Sequence, residues 1–160
     1  MGVHAALNDA LPNLTVIYAA CTVVLYLVYK FSCFYCVNAS ERPPEDATLP
    51  TKLPKLEPAE HKRRQRLLGN NMENVLVDLS LFWAAFVAVL VQSIAGGGRQ
   101  EALALSVLMP VYTASRIAFT VAYARAIQPL RSIVFVVGVS CVFSAAGVLL
   151  SSAAKAYTTM

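Results

Sequence analysis

The chain has 160 residues, of which 58% are hydrophobic and only 14% are charged, and its formal net charge is +4. Soluble domains carry about 25% charged residues, and the apolar residues here form long runs, so the composition excludes a soluble domain and predicts an integral membrane protein. The basic residues lie next to these runs, as in membrane proteins that contact anionic headgroups, and we predict membrane lipids and no nucleic acid as partners.

Four apolar segments are long enough to cross a bilayer core, which takes about 20 residues. They predict helices at about 14–37, 60–95, 102–124 and 132–154. Backbone polar groups in hydrocarbon must be paired within their own segment, and the alternation of barrel strands is missing, so the spans are expected to be helical. The sequence predicts an all-α, up-down bundle of four membrane helices in one domain, residues 1–160.

The segment 38–59, between the first two helices, is polar and contains five prolines, so it is predicted to be a loop. Seven basic residues lie in the loop after the first helix and in the cytosolic start of the second, and Arg125 and Arg131 lie between the last two apolar runs, whereas the other side has only Arg99 and Lys155. This bias predicts a cytosolic loop and non-cytosolic termini. No second Cys or His pair accompanies the Cys-x-x-Cys spacing at 33–36, so no metal site is predicted.

Polar residues recur inside the apolar helices near their predicted cytosolic ends. Arg66, Asn70 and Glu73 follow four- and three-residue steps and share a face of the second helix. Arg116 lies more than a turn inside the third apolar run, where a charge costs about 3 kcal/mol, so it should face protein or water. Glu73 is its predicted partner, because both lie in the cytosolic halves of their helices.

Tyr123 lies closer to the cytosol on the third helix, and Arg131 and Ser132 open the fourth helix at the same level. Together with the residues above, they predict a pocket for a small anionic or zwitterionic ligand. Each residue also has a structural interpretation: Glu73 and Arg116 as a clip between helices, Tyr123 as an interfacial belt residue, and Arg131 as a positive-inside residue.

Two stretches resemble the membrane-associated proteins in eicosanoid and glutathione metabolism, the MAPEG family. They are the pattern R-x-x-R-x-x-x-N-x-x-E-N at 63–74 and SRIAFTVAYARAIQPLRS at 115–132. PPEDA at 43–47 also resembles the first cytosolic loop of a prostaglandin synthase in this family. The resemblance covers about 14–150 and is strongest to microsomal glutathione transferase and microsomal prostaglandin E synthase.

The resemblance implies a homotrimer with glutathione bound as co-substrate between neighbouring subunits. The glutathione-contacting positions that match are Asn70, Glu73, Arg116, Tyr123 and Arg131, with Arg66 on the same face as Asn70 and Glu73. The resemblance implies that Arg131 stabilises the thiolate, since a nearby guanidinium favours the anion of a thiol. The Ser132 hydroxyl could add a hydrogen bond, and Asp46 matches a loop carboxylate with a role in the prostaglandin synthase.

The sequence departs from the related enzymes at Gly69, Phe119 and Tyr35, where basic or polar residues are common. Two hypotheses follow. The first is a glutathione-dependent transferase or peroxidase that acts on a lipophilic electrophile or a lipid hydroperoxide. The alternative is a non-catalytic, lipid-binding scaffold or an accessory subunit of a larger membrane complex. The resemblance implies the endoplasmic reticulum membrane, with a mitochondrial or other organelle membrane as the alternative.

Overall fold

A computed structural model describes residues 2–36 and 57–159, with side chains from 13 to 36 and from 57 to 158. These residues form four α-helices: α1 (Gly2–Cys36), α2 (Pro58–Ile94), α3 (Arg99–Ala124) and α4 (Gln128–Thr159). Each helix contains a stretch long and apolar enough to cross a membrane. The predicted all-α class with four apolar helices is confirmed. Most of the predicted loop 38–59, including Asp46, lies outside the described residues.

The starts of α2 and α4 follow from prolines that helices tolerate only in their first turn. Pro58 opens α2, and Pro129 is the second residue of α4. A proline there has no intrahelical hydrogen bond to lose, and its fixed φ suits the helix. As a result α4 begins at Gln128, four residues before the predicted span, and brings Arg131 into its first turn.

The two central helices of the bundle are α2 and α3. Each contacts the other and both flanking helices, whereas α1 and α4 contact only the central pair among the described residues. Aromatic side chains fill the contacts: the Tyr18 ring lies 4.9 Å from that of Phe86, and the Phe82 ring lies 5.1 Å from that of Tyr112. Many apolar side chains on the outer faces are exposed, as a bilayer requires.

A tight turn between α3 and α4 determines which residues meet at one end of the bundle. Ala126 has a left-handed backbone conformation, with φ of 58°. The amide of Ile127 donates to the carbonyl of Ala122 at 2.9 Å, and the amide of Ala126 donates to the carbonyl of Tyr123 at 3.2 Å. This pattern is that of a helix ending on a left-handed residue. It reverses the chain so quickly that Arg131 returns to the level of Tyr123.

Candidate functional site

A buried asparagine joins three helices at the end of the bundle where α2 begins and α3 ends, which we call the site end. The side-chain amide of Asn71 donates to Oγ of Ser32 on α1 at 2.6 Å and to Oγ1 of Thr120 on α3 at 3.2 Å. All three side chains are buried. A polar contact of this kind holds its helices in one register, because any slip would leave buried polar atoms unpaired.

The Arg116 guanidinium lies next to this contact and is only 3% exposed. Its Nη2 atom donates to the backbone and side-chain oxygens of Asn70, at 3.3 and 3.2 Å, and lies 3.4 Å from Oδ1 of Asn71. Its Cζ atom lies 5.2 Å from the centre of the Phe119 ring. Within the described part of the chain, Nε of Arg116 has no hydrogen-bond partner. The guanidinium is therefore held by neutral acceptors and keeps one unused donor.

The predicted pairing of Glu73 with Arg116 is wrong. Glu73 is exposed, and between the described residues no ion pair joins it to Arg116. Asn71, not Glu73, points toward Arg116. The cause is helical geometry: Asn71 faces the core, and Glu73, two residues later, lies about 200° further around α2 and faces outward.

Asp78 joins α2 to α3 within the bundle. Oη of Tyr112, one turn before Arg116 on α3, donates to Oδ2 of Asp78 at 2.7 Å. The sequence contains a signal for this residue: Asn70, Asn74 and Asp78 recur every four residues, and a carboxylate inside an apolar run requires a partner. Sequence reasoning assigned Asp78 no partner, and the structure identifies it as Tyr112.

Aromatic rings connect Arg116 to Arg131 along the site end. The rings of Phe119 and Tyr123 lie 5.5 Å apart, and Cζ of Arg131 lies 4.8 Å from the centre of the Tyr123 ring. Nη2 of Arg131 also donates to Oε1 of Gln128 at 2.7 Å. Both Arg131 and Tyr123 are half-buried. The turn after α3 thus places a cation directly beside a phenol ring, as cation–π contacts require.

The remaining predicted site residues do not converge within one protomer. Arg66, Glu73 and Ser132 are exposed, and Asp46 lies outside the described residues. A Cβ atom built on Gly69 would meet nothing within 4 Å, so the space of the missing side chain is open. The structure therefore brings together Asn70, Arg116, Tyr123 and Arg131 and leaves Arg66, Glu73 and Ser132 on the surface of the protomer.

Tyr35, one of the departures from the related enzymes, packs against the start of α2. Cζ of Arg64 lies 4.2 Å from the centre of the Tyr35 ring, and Nη1 of Arg64 donates to the Tyr35 carbonyl at 3.0 Å. Arg64 also forms an ion pair with Glu60 in the first turn of α2. Tyr35 thus joins α1 to α2 in the protomer.

A family model described as the MAPEG family matches residues 14–151. The matched range includes every described candidate residue of the site. A search of curated proteins finds no match for the chain.

Proposed function

The chain belongs to the MAPEG family, and from this premise we propose that it is a glutathione-dependent transferase or peroxidase of the membrane. The family includes glutathione-dependent transferases and related proteins. The proposed substrate is a lipophilic electrophile or a lipid hydroperoxide. The contact of Arg131 with Tyr123 carries the proposal.

Arg131 stabilises the thiolate in this proposal. A free thiol has a pKa of about 8.5, and a guanidinium beside it favours the anion and so lowers that pKa. Arg131 is held by Tyr123 and Gln128 and is still half-exposed, so it can reach a ligand. Ser132 follows it with an exposed hydroxyl that can donate to the same sulfur. The thiol releases its proton to water, and the thiolate forms an S–C bond as the leaving group departs with the electron pair of its bond to carbon. With a hydroperoxide the thiolate takes the terminal oxygen, the O–O bond breaks, and the lipid alkoxide leaves and takes a proton from water; a second glutathione then reduces the sulfenic acid to the disulfide and water.

Glutathione carries two carboxylates and one ammonium group, and the exposed residues at the site end match these charges. Arg66 offers a cation to a carboxylate, and Glu73 offers a carboxylate to the ammonium group. Arg116 fits less well, because it is buried and bonded to Asn70, although its Nε has no acceptor among the described residues. Since Arg66, Glu73 and Ser132 are exposed on the protomer, we propose that a neighbouring copy covers them in a homotrimer.

The lipophilic substrate enters from the bilayer. An apolar cleft of about 380 Å³ lies between α1 and α3, near the site end. Its lining includes Leu27 and Phe31 from α1 and Thr120 and Val121 from α3. Thr120 also accepts the hydrogen bond from Asn71, so the cleft ends beside the buried polar contact. We propose one membrane domain, in the endoplasmic reticulum or another organelle membrane.

Calorimetry with glutathione in mild detergent tests this proposal. We expect heat of binding at millimolar ligand and protection from thermal unfolding, and we expect Arg131→Gln to weaken both. Arg125→Gln is the matched control, since Arg125 is an exposed arginine just after α3. Absence of heat and of protection in the unmodified protein would overturn the proposal.

A lipid-binding scaffold without glutathione chemistry is the second candidate, and one observation favours it. Arg116 already uses Asn70 and Asn71 as acceptors, so much of its hydrogen bonding is made within the protomer without a ligand. Such a protein would be an accessory subunit of a larger membrane complex. Co-migration with a large assembly in mild detergent supports this candidate, and a free trimer that binds glutathione contradicts it.

A further inference from the structure

Two cavities lie at the opposite end of the bundle, where α2 ends and α3 begins. Their volumes are about 310 and 400 Å³, and the ion pair of Glu101 with Lys155 borders both. The first is also lined by Gln92, the glycines at 96–98 and Arg99. The second extends along α4 past Ser144 and Ser151. This end of the molecule has no role in the proposed glutathione chemistry.

Gln92 gives the first cavity an unused acceptor. Its side chain is 5% exposed, and within the described part of the chain its Oε1 atom is buried without a hydrogen-bond partner. Gly97 and Gly98 cover it: a Cβ on Gly97 would lie 3.4 Å from Nε2 of Gln92. Buried polar atoms are nearly always paired, so this oxygen is suited to a hydroxyl or amine donor from a ligand.

The charged residues that line the same cavity leave one net positive charge. Arg99 and Lys155 are the two basic residues that the sequence assigns to the non-cytosolic side, where basic residues are usually rare, and both line the cavity. Glu101 balances Lys155, so Arg99 leaves a net positive charge. In addition, Gly98 precedes α3 without a side-chain cap, and the first amides of a helix favour an anion.

The cavity lies at the level where the apolar spans meet water. Ile94 at the end of α2 and Tyr157 near the end of α4 are among the most exposed large side chains, and tyrosine is enriched at this level of membrane proteins. From the cations, the unused acceptor and this depth, we propose that the cavity binds a phosphate ester headgroup that also carries a hydroxyl or amine donor. A phospholipid of the leaflet at this end is the source, and the inference stands independently of the glutathione proposal.

Native mass spectrometry of the detergent-purified protein tests the site with phospholipids of identical acyl chains. Phosphatidylglycerol and phosphatidylethanolamine should bind more tightly than phosphatidylcholine, which has the phosphate but lacks a donor for Gln92. Glycerol 3-phosphate tests the soluble source. If it binds as tightly as phosphatidylglycerol, the ligand is a free phosphate ester and the lipid assignment is wrong.

Two variants separate this site from general lipid binding. Arg99→Gln should weaken phosphatidylglycerol binding about tenfold, as expected for one charged hydrogen bond, whereas Arg125→Gln at the site end should not change it. Gln92→Leu should keep phosphatidylglycerol binding but reduce its advantage over phosphatidylcholine. Equal affinities of Arg99→Gln and the unmodified protein, or an unchanged headgroup order in Gln92→Leu, would overturn the assignment.

Discussion

Nη2 of Arg116 lies 3.4 Å from Oδ1 of Asn71, and both side chains are buried between α2 and α3. The amide nitrogen of the same asparagine donates to Ser32 and Thr120. The Asn71 side chain therefore accepts a hydrogen bond from a buried cation and donates to side chains on two other helices. This contact links the position of Arg116 to the packing of the whole site end.

Replacing Asn71 with leucine should destabilise the protein by about 2–3 kcal/mol. The guanidinium would lose an acceptor, and two hydroxyls would lose their donor, in a place that water does not reach. Thermal unfolding in detergent measures the effect. Gln65→Ala is the control on the same helix and should leave stability nearly unchanged, because Gln65 is exposed and has no role in the proposed site. Equal melting temperatures for Asn71→Leu and the unmodified protein would contradict this account.

Removing the charge of Arg131 should raise the pKa of the bound glutathione thiol towards its free value of about 8.5. The reason is the loss of the only cation that lies against Tyr123 among the described residues. The ultraviolet absorbance of the thiolate, followed across pH, measures this pKa in Arg131→Gln. Arg125→Gln should titrate like the unmodified protein. If Arg131→Gln and Arg125→Gln give the same titration curve, Arg131 does not stabilise the thiolate.

A basic residue at position 69 should strengthen glutathione binding. Gly69 lies one residue before Asn70, and a side chain there would enter open space. Gly69→Arg should lower the dissociation constant about tenfold, since a charge-assisted hydrogen bond to a carboxylate is worth about 1.5–3 kcal/mol. Gly69→Gln provides the matched uncharged control. If both variants bind glutathione like the unmodified protein, the ligand carboxylate does not lie beside position 69.

Gly138 allows α4 to approach α3 closely, and alanine should not be tolerated there. A Cβ at this position would lie 2.9 Å from Oγ of Ser115, which is bonded to the Tyr112 carbonyl. Gly138→Ala should destabilise the protein by about 1–3 kcal/mol through overpacking.

Two further variants test that explanation by thermal unfolding in detergent. Ser115→Ala combined with Gly138→Ala should recover much of the loss, because the nearest atom is removed. Gly147→Ala is the matched control on α4: its Cβ would meet nothing within 4 Å, so it should stabilise the helix by about 0.5–1 kcal/mol. Equal effects at positions 138 and 147 would show that close packing is not responsible.

Glycine at position 126 should stabilise the turn that returns Arg131 to Tyr123. Ala126 has a positive φ of 58°, and this conformation costs an L-residue with a Cβ about 1–2 kcal/mol relative to the right-handed region. Ala126→Gly should therefore raise the melting temperature. Ala124→Gly, inside the last turn of α3, should lower it, since glycine there only weakens a helix. A lower melting temperature for Ala126→Gly than for the unmodified protein would contradict the turn geometry.

Much of the candidate site was predictable because the pattern at 63–74 and the stretch at 115–132 are local in sequence. The partners of its residues were not predictable to the same degree. Glu73 and Asn71 are both polar and two positions apart, and the sequence does not specify which of them faces the core. A small rotation of a helix about its axis turns one residue toward the core and another away from it. The contacts between helices decide that rotation.

The amino-acid sequence by itself determined the all-α membrane class, the four apolar spans and the residues that resemble the MAPEG family. These properties depend on composition and local spacing, because a bilayer accepts only long apolar helices whose backbone bonds are internal. Only the tertiary structure decided that Asn71 joins Asn70 as an acceptor for Arg116, that Asp78 accepts from the Tyr112 hydroxyl, and that Arg131 lies on Tyr123. Those choices depend on how four helices rotate to pair their buried polar atoms, which involves residues far apart in the chain.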